Sequence, residues 1–475
     1  MLNGLISMKR RGMLTVSTVL VGSVLLMSCS VKPPLQGEDL RSKALPSVAL
    51  PNQFAQSSNS SGTAAASARV DDAWLKQFQD EELNQLVAEA LRNSPDIQVI
   101  AARRSQSESL IDAASGAQYP GVNAFGNTGG KVGSSGSGLT GYYIGAGWEL
   151  DLWGRVRTSI AGAKQSARAL NAEQDAARLS LIGALTKTVW LARGLQEQAR
   201  LANESAIAAQ TIADLTAIRE NIGASSQADV SSSKLNASQA KELALTVALA
   251  RDQALRAVEV LVGRYPDAKP LSTTRLPALP APVAPGLPAD LLERRPDMIA
   301  AEARVNSAFY AAEEKRLARL PKISLTAGFG YINSQIFALT RGPSTSLGTG
   351  ANVFIPLFQG GSIEAQIAYQ NAEAQAAIAN YGKVALGAFK DVENALNGEA
   401  TWRDRSIQLQ TQLTEQRRLL DNRRAEFRIG RIDQRQVQQE IMRTNAIEIN
   451  WRQGQVDALA QRVNLYLALG GSPTE

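Results

Sequence analysis

The alternation of apolar and polar positions changes period several times along this chain. From about residue 95 to 118 the pattern is helical, entering at Pro95 and Asp96, residue types that suit a first helical turn. Tyr119-Pro120 ends it, and Leu320-Pro321 ends a similar stretch further on. After Pro321 the residues Ile323, Leu325, Ala327, Phe329 and Tyr331 alternate with Lys322, Ser324, Thr326, Gly328 and Gly330. Leu347, Thr349, Ala351, Val353, Ile355 and Leu357 repeat that period, which predicts strands with one apolar face over about 322–358. The first half carries the same alternation less cleanly over about 120–153, in Val122–Val132 and Tyr142–Trp153 with Gly-Ser turns between. Runs of about ten to thirteen residues are long enough to cross an outer membrane as tilted hairpins.

Proline placement marks where long helices can run. Of 18 prolines, seven fall between Pro266 and Pro288, and none lies in 157–265 or 357–472. Because proline breaks helix interiors, the two empty stretches predict helices over 155–222 and 362–429, each roughly 100 Å long. Apolar residues there recur at threes and fours, as at Leu409, Leu413, Leu420 and Phe427. Return helices over 227–262 and 434–469 are each about 54 Å, and the helix near 95–118 adds about 36 Å. Two shorter helices stacked end to end therefore match one long helix.

The chain repeats itself. Leu91-Arg-Asn-Ser-Pro95-Asp96-Ile97 matches Leu292-Glu-Arg-Arg-Pro296-Asp297-Met298 at an offset of 201. Leu152-Trp153-Gly154 pairs with Leu357-Phe358-Gln359-Gly360 at 205, and Gly223 with Gly430 at 207. Leu261-Val262-Gly263 pairs with Ala468-Leu469-Gly470, also at 207. The constant order and small drift indicate a duplicated domain half, not a solenoid unit. The organisation expected is a signal peptide over 1–28 and a Ser-, Ala-, Pro- and Gly-rich tether over 29–70. A first repeat over 71–265, an extended Pro-rich linker over 266–288, a second repeat over 289–470 and a tail over 471–475 follow.

Composition narrows the function. The chain has no histidine and one cysteine, which excludes imidazole-based triads, His-ligated metals, an internal disulfide and thiolate clusters. Aromatic residues are only 5%, thin for one large globular core, and point to an extended helix-rich assembly. Lys9, Arg10 and Arg11 precede the apolar run Met13–Met27, the layout of a signal peptide, too short for a transmembrane helix. Met8 offers a second start. The run ends Leu26-Met27-Ser28-Cys29, which resembles a bacterial lipobox and makes Cys29 the lipidation site, with Ser30 after it favouring the outer membrane. Removing residues 1–28 lowers the net charge from +6 to +3, no footprint for nucleic acid.

Some motifs look chemical without the context they need. Gly136-Ser-Gly138-Leu-Thr-Gly141 fits the dinucleotide glycine spacing but sits in a Gly-Ser turn with no helix start behind it. Ser231-Ser-Ser-Lys234 has the nucleophile spacing of serine β-lactamases but no partner motif. Arg417-Arg418 and Arg423-Arg424 lie beside Glu415, Asp421 and Glu426, as on a solvated helix face. No catalytic residue, metal or other cofactor is expected.

Four ordered motifs carry a resemblance. They are Trp148-Glu-Leu-Asp-Leu-Trp-Gly-Arg155, Leu261-Val-Gly-Arg-Tyr-Pro266, Leu287-Pro-Ala-Asp-Leu-Leu-Glu-Arg-Arg-Pro-Asp297 and Phe354-Ile-Pro-Leu-Phe-Gln-Gly-Gly361. They closely resemble the TolC-like outer membrane factors, above all the NodT-type efflux lipoproteins. The resemblance implies an α+β membrane protein and a homotrimer, each subunit giving four strands to a 12-stranded β-barrel continuous with a periplasmic α-helical barrel. It implies docking at the helical tips by a periplasmic adaptor (membrane fusion) protein serving an inner-membrane resistance-nodulation-division (RND) pump. The tips are 223–230 and 430–437, with Gly223, Asp229, Val230, Gly430, Arg431, Asp433 and Arg435 as the positions at the aperture. Ser226-Gln-Ala-Asp229 looks like a capping box, whereas the second tip departs from the family pattern and is unusually basic. Pairs between Asp433 and arginines of neighbouring subunits would hold such a tip closed, or the tip is a solvated helical face. Trp148, Trp153, Gly154, Phe358, Gly360 and Gly361 fall at the barrel-to-helix junction, as interface aromatics or as ordinary packing. The reading is a passive exit duct for efflux. The exit channel of a type I protein secretion system is the near rival, and a lipid-anchored periplasmic tether without a pore is the distant one.

Overall fold

The computed structural model describes residues 33–48, 51, 53–55, 74–127, 140–281, 288–333 and 344–471. Cys29, the signal segment and the Gly136–Gly138 turn lie outside the described residues. The elements in chain order are α1 Gly37–Ala44, a 3₁₀ turn Trp74–Phe78, α2 Glu81–Asn93, α3 Pro95–Gly116, β1 Gly121–Asn127 and β2 Thr140–Leu150. There follow α4 Arg155–Asn221, α5 Gln227–Val262, α6 Pro288–Arg294, α7 Pro296–Leu317, β3 Lys322–Asn333, β4 Ser344–Phe354, α8 Ser362–Arg428 and α9 Gln434–Ala468. The helices α4 and α8 each have 67 residues, and α3 and α7 each have 22. No described helix is both long and apolar enough to cross a membrane.

The chain forms two compact units. The first comprises residues 1–46, 105–170 and 301–382. It contains a four-stranded antiparallel sheet in the order β1-β2-β3-β4, with Ala124 opposite Ile144, Ala146 opposite Ala327 and Ala327 opposite Thr349. Even-numbered residues of β1 and β2 share a face with odd-numbered residues of β3 and β4, because opposed residues point the same way. That face carries Val122, Tyr142, Ile144, Phe329 and Leu347, all exposed in the single chain. Both β1 and β4 are edge strands with one unpaired side. Below the sheet α4 and α7 pack closely: Ser166 and Ser307 hydroxyls lie 2.8 Å apart, and the Ser307 hydroxyl donates to the Gly162 carbonyl at 3.2 Å.

The second unit comprises residues 47–104, 171–300 and 383–475. Its main core gathers Trp74, Phe78, Leu83, Leu185, Trp190, Leu255, Val262 and Tyr466. Trp74 stacks on Tyr466 with ring centroids 5.2 Å apart, and the Tyr466 hydroxyl donates to the Gln77 side chain at 2.7 Å. The apolar spacing Leu83, Leu86, Val87 and Ala90 gives α2 a single buried stripe, and Asp80 caps it by accepting from the Leu83 N–H at 3.1 Å. A buried ion pair locks this cap: Arg193 holds Asp80 at 3.0 Å and Glu82 at 2.8 Å. Burial opposes charge on Asp80, but the Arg193 guanidinium and the Leu83 amide outweigh it and hold the carboxyl below its ordinary 3.8.

The stretch read as a tether departs from that expectation in two places. A short helix, α1, buries Leu40, and Phe54 is buried in the second unit among Leu291, Val392 and Leu465. The Ala55 N–H donates to Glu393 at 2.8 Å. Apolar residues widely spaced in a Ser- and Pro-rich segment thus find separate pockets.

Candidate functional site

The tips are built by two turns of the same construction. After α4, Gly223 takes φ +74°, with its N–H on the Glu220 carbonyl and the Ala224 N–H on the Arg219 carbonyl, both 2.8 Å. After α8, Gly430 also takes φ +74°, with its N–H on the Phe427 carbonyl at 2.9 Å and the Arg431 N–H on the Glu426 carbonyl at 3.0 Å. Both are Schellman turns, in which glycine supplies the left-handed conformation that ends the helix.

The caps that restart the chain differ chemically. Ser226 and Asp229 form a full capping box: the Ser226 hydroxyl accepts from the Asp229 N–H at 3.1 Å, and the Asp229 carboxylate accepts from the Ser226 N–H at 2.9 Å. That amide and the Ser226 hydroxyl draw the Asp229 carboxyl below its ordinary value. Val230, next in line, is buried. At the second tip Asp433 alone is the cap, accepting from the N–H groups of Arg435 at 2.9 Å and Gln436 at 3.3 Å. The Arg435 guanidinium folds back to the same carboxylate at 2.7 Å and lowers its pKa, with partial burial opposing. Arg219 of the first tip lies 4.0 Å from Asp433, so the two tips share one carboxylate. Asp433 therefore already has its arginine partners within one chain. Arg428 and Arg431 are exposed and reach no carboxylate among the described residues.

At the strand-to-helix junctions the aromatics are tied unequally. The Trp148 indole donates to the Gln118 carbonyl at 2.9 Å, and that of Trp153 to the Pro321 carbonyl at 2.7 Å. Gly154 takes φ +81°, and Asp151 caps α4 by accepting from Val156 and Arg157 N–H at 2.9 and 3.0 Å. In the second junction Gly360 and Gly361 take φ +60° and +84°, and Phe358 stands 87% exposed. Asp151 escaped the sequence reading, although an Asp just ahead of a helical run is a capping signal.

The repeat motif starts α3 at Pro95-Asp96 and α7 at Pro296-Asp297. Asp297 accepts from Arg295 at 2.7 Å beside a cavity of about 450 Å³ that Asp391, Asn394, Gln461 and Asn464 also line. Ser231 to Lys234 lie in the first two turns of α5. Among the described residues no three His, Cys, Asp or Glu side chains gather as a metal site.

Comparison with known proteins fits this geometry. The family model described as "Outer membrane efflux protein" matches residues 86–264 and 287–471. The chain is 31% identical over 370 residues to the pyoverdine export outer membrane protein OpmQ of Pseudomonas putida, covering 74% of this chain and 78% of that one. It is 29% identical over 428 residues to the solvent efflux pump outer membrane protein SrpC of Pseudomonas putida, covering 83% and 86%. The solved outer-membrane channel OprN superposes with a TM-score of 0.76 at 24% identity, covering 94% of this chain and 99% of that one, a likeness of fold. With two matched spans that together take in most of its length, the chain belongs to the outer membrane efflux protein family.

Proposed function

We propose that this chain is the outer membrane exit duct of a tripartite efflux system. It conducts small molecules passively from an inner-membrane RND-type pump and its periplasmic adaptor to the exterior. The observation that carries this reading is the match of both halves to the efflux family, joined to one sheet of four strands and two 67-residue helices. A four-stranded sheet with two open edges cannot stand alone in lipid, where every backbone N–H and C=O must be paired. Three copies would close it into a 12-stranded barrel, with the helices as the periplasmic tube. Cys29 carries the lipid anchor in this reading, and the two halves are one duplicated unit.

The tips at 223–230 and 430–437 are the surface offered to the adaptor. The capping of Asp433 within its own chain supports a tip whose resting shape is set inside each subunit. The names of OpmQ and SrpC, pyoverdine export and solvent efflux, support low-molecular-mass cargo. The test is deletion of the gene followed by measurement of dye and antibiotic accumulation in the parent cell. The duct reading predicts higher accumulation, reversed by the wild-type gene. Unchanged accumulation together with loss of a secreted protein would point to the type I secretion channel instead.

A further inference from the structure

The two faces of the four-stranded sheet differ in side-chain size as well as polarity. Opposite the apolar face stand Asn123, Ser324, Thr326 and Asn352, with glycines between them. One row across the sheet runs Asn123, Gly145, Gly328, Gly348, each opposite the next. In a barrel the apolar face meets lipid and this polar face lines the lumen. Glycine inside a strand costs entropy and leaves nothing to pack, so a row of three needs a reason. Backbone conformation is not that reason, because none of the three takes a positive φ.

Tyr143 supplies one for two of them. It lies on the same face, opposite Gly330, and its ring is laid along the wall over Gly145, Gly328 and Gly330. A Cβ on Gly145 would sit 3.0 Å from the ring Cζ, one on Gly328 2.6 Å from Cε2, and one on Gly330 2.9 Å from Cδ2. The Tyr142 carbonyl oxygen, also 2.9 Å away, crowds Gly330 as well. Gly145 and Gly330 are buried, while the ring above them is 41% exposed. Gly348, in the same row, makes the contrast: it is exposed, and a Cβ there would meet nothing within 4 Å. An aromatic ring covering strand glycines repays their missing packing. Here it also keeps the longest dimension of the tyrosine parallel to the wall.

We propose that Tyr143, held flat by Gly145, Gly328 and Gly330, sets the bore of the barrel and so the width of cargo it passes. The inference rests on the duct reading and names the residue that limits size. A closed barrel of twelve strands has a backbone radius of about 12 Å. A ring lying down takes about 4 Å of it, and a ring standing up about 6 Å. Gly328 lies under the hydroxyl end of the ring, so a side chain there would pry that end off the wall.

The test is single-channel recording of the full-length lipoprotein in planar bilayers. Polyethylene glycols of graded radius are added from the extracellular side, where they meet the barrel first. Gly328→Leu should lower the radius of the largest polymer admitted by about 2 Å. Gly348→Leu adds the same bulk to the same row with no ring above it and should leave the cut-off unchanged. Adding Tyr143→Ala to Gly328→Leu should restore it, because the bulk stays and the ring goes. Equal cut-offs for the two leucine variants overturn the inference and leave the bore to Phe125, which lies opposite Tyr143 on β1 and is 62% exposed. A narrowing that survives Tyr143→Ala overturns it too. Where leucine blocks assembly, Gly328→Ala against Gly348→Ala carries the same signs, since one carbon already reaches the ring. Channels that ignore Gly328→Leu while the cells still expel dye leave the duct reading standing. An unmodified protein that opens no channel, and whose gene lowers no dye accumulation, removes the duct reading itself.

Discussion

Both ends of the return helices turn on glycine, but for different reasons. At the tips, a Cβ added to Gly223 or Gly430 would meet nothing within 4 Å, and only the φ of +74° demands glycine. At the far ends of α5 and α9, Gly263 and Gly470 take φ +86° and +71° and are crowded as well. A Cβ on Gly263 would sit 2.8 Å from the Asn93 carbonyl oxygen, and one on Gly470 would sit 3.1 Å from Arg295. The glycines of the tips are therefore demanded by backbone geometry alone, while the side chains of Ser226, Asp229 and Asp433 cap the helices that follow them. The closing turns are shaped by packing and have little freedom to change. The same contrast separates the buried Arg193–Asp80 pair from the exposed arginines of the second tip.

The largest effect should come from the packed region. Asp80→Ala strands the buried Arg193 guanidinium with Glu82 as its remaining carboxylate and is expected to cost about 3 kcal/mol. Denaturant unfolding in detergent would read it, and a change below 1 kcal/mol would mean Glu82 suffices. Gly263→Ala combines a left-handed backbone with a backbone clash and should cost about 2 to 3 kcal/mol by the same measurement. Gly430→Ala has only the backbone strain, about 1 kcal/mol, so a loss equal to that of Gly263→Ala would erase the distinction between the two ends.

The smallest effect is a pH dependence at the second tip. Asp433 has a folded pKa below its ordinary 3.8, with Arg435 the main cause. Its capping contribution is thus fully present above the ordinary value and lost as pH falls through the lower folded one. Hydrogen exchange at Arg435 and Gln436 should be unchanged between pH 5 and 7 and should speed up beyond the intrinsic rate only below about pH 4. Asp433→Asn retains a capping oxygen and should abolish that acid step. An acid step that survives the substitution would assign it elsewhere, with Asp229 the first alternative.

Much of the architecture was legible because it is written in local chemistry. The proline-free stretches 157–265 and 357–472 contain α5, α8, α9 and all but the first two residues of α4. The strict alternation from Ile323 to Tyr331 lies within β3, whereas that of Leu347 to Leu357 overruns β4, which ends at Phe354 just before Pro356, so Ile355 and Leu357 lie outside the strand. Gly223 and Gly430 stand out because a left-handed helix end favours glycine. What was not legible depends on distant partners. The stripe Leu83, Leu86, Val87 and Ala90 was visible as a pattern, but its packing against Trp190 and Tyr466 joins residues hundreds of positions apart. Phe54 in a Ser-rich stretch gives no local sign of its pocket. Asp433 stood out as an aperture acid, and the competing demand of the α9 N-terminus for a cap explains why its carboxylate is occupied within the chain.

The most direct test of the central claim is electron microscopy of the full-length protein extracted in detergent. An exit duct predicts threefold particles with a central channel running through a narrow barrel into a helical tube. Monomers, or rods without a channel, would contradict it.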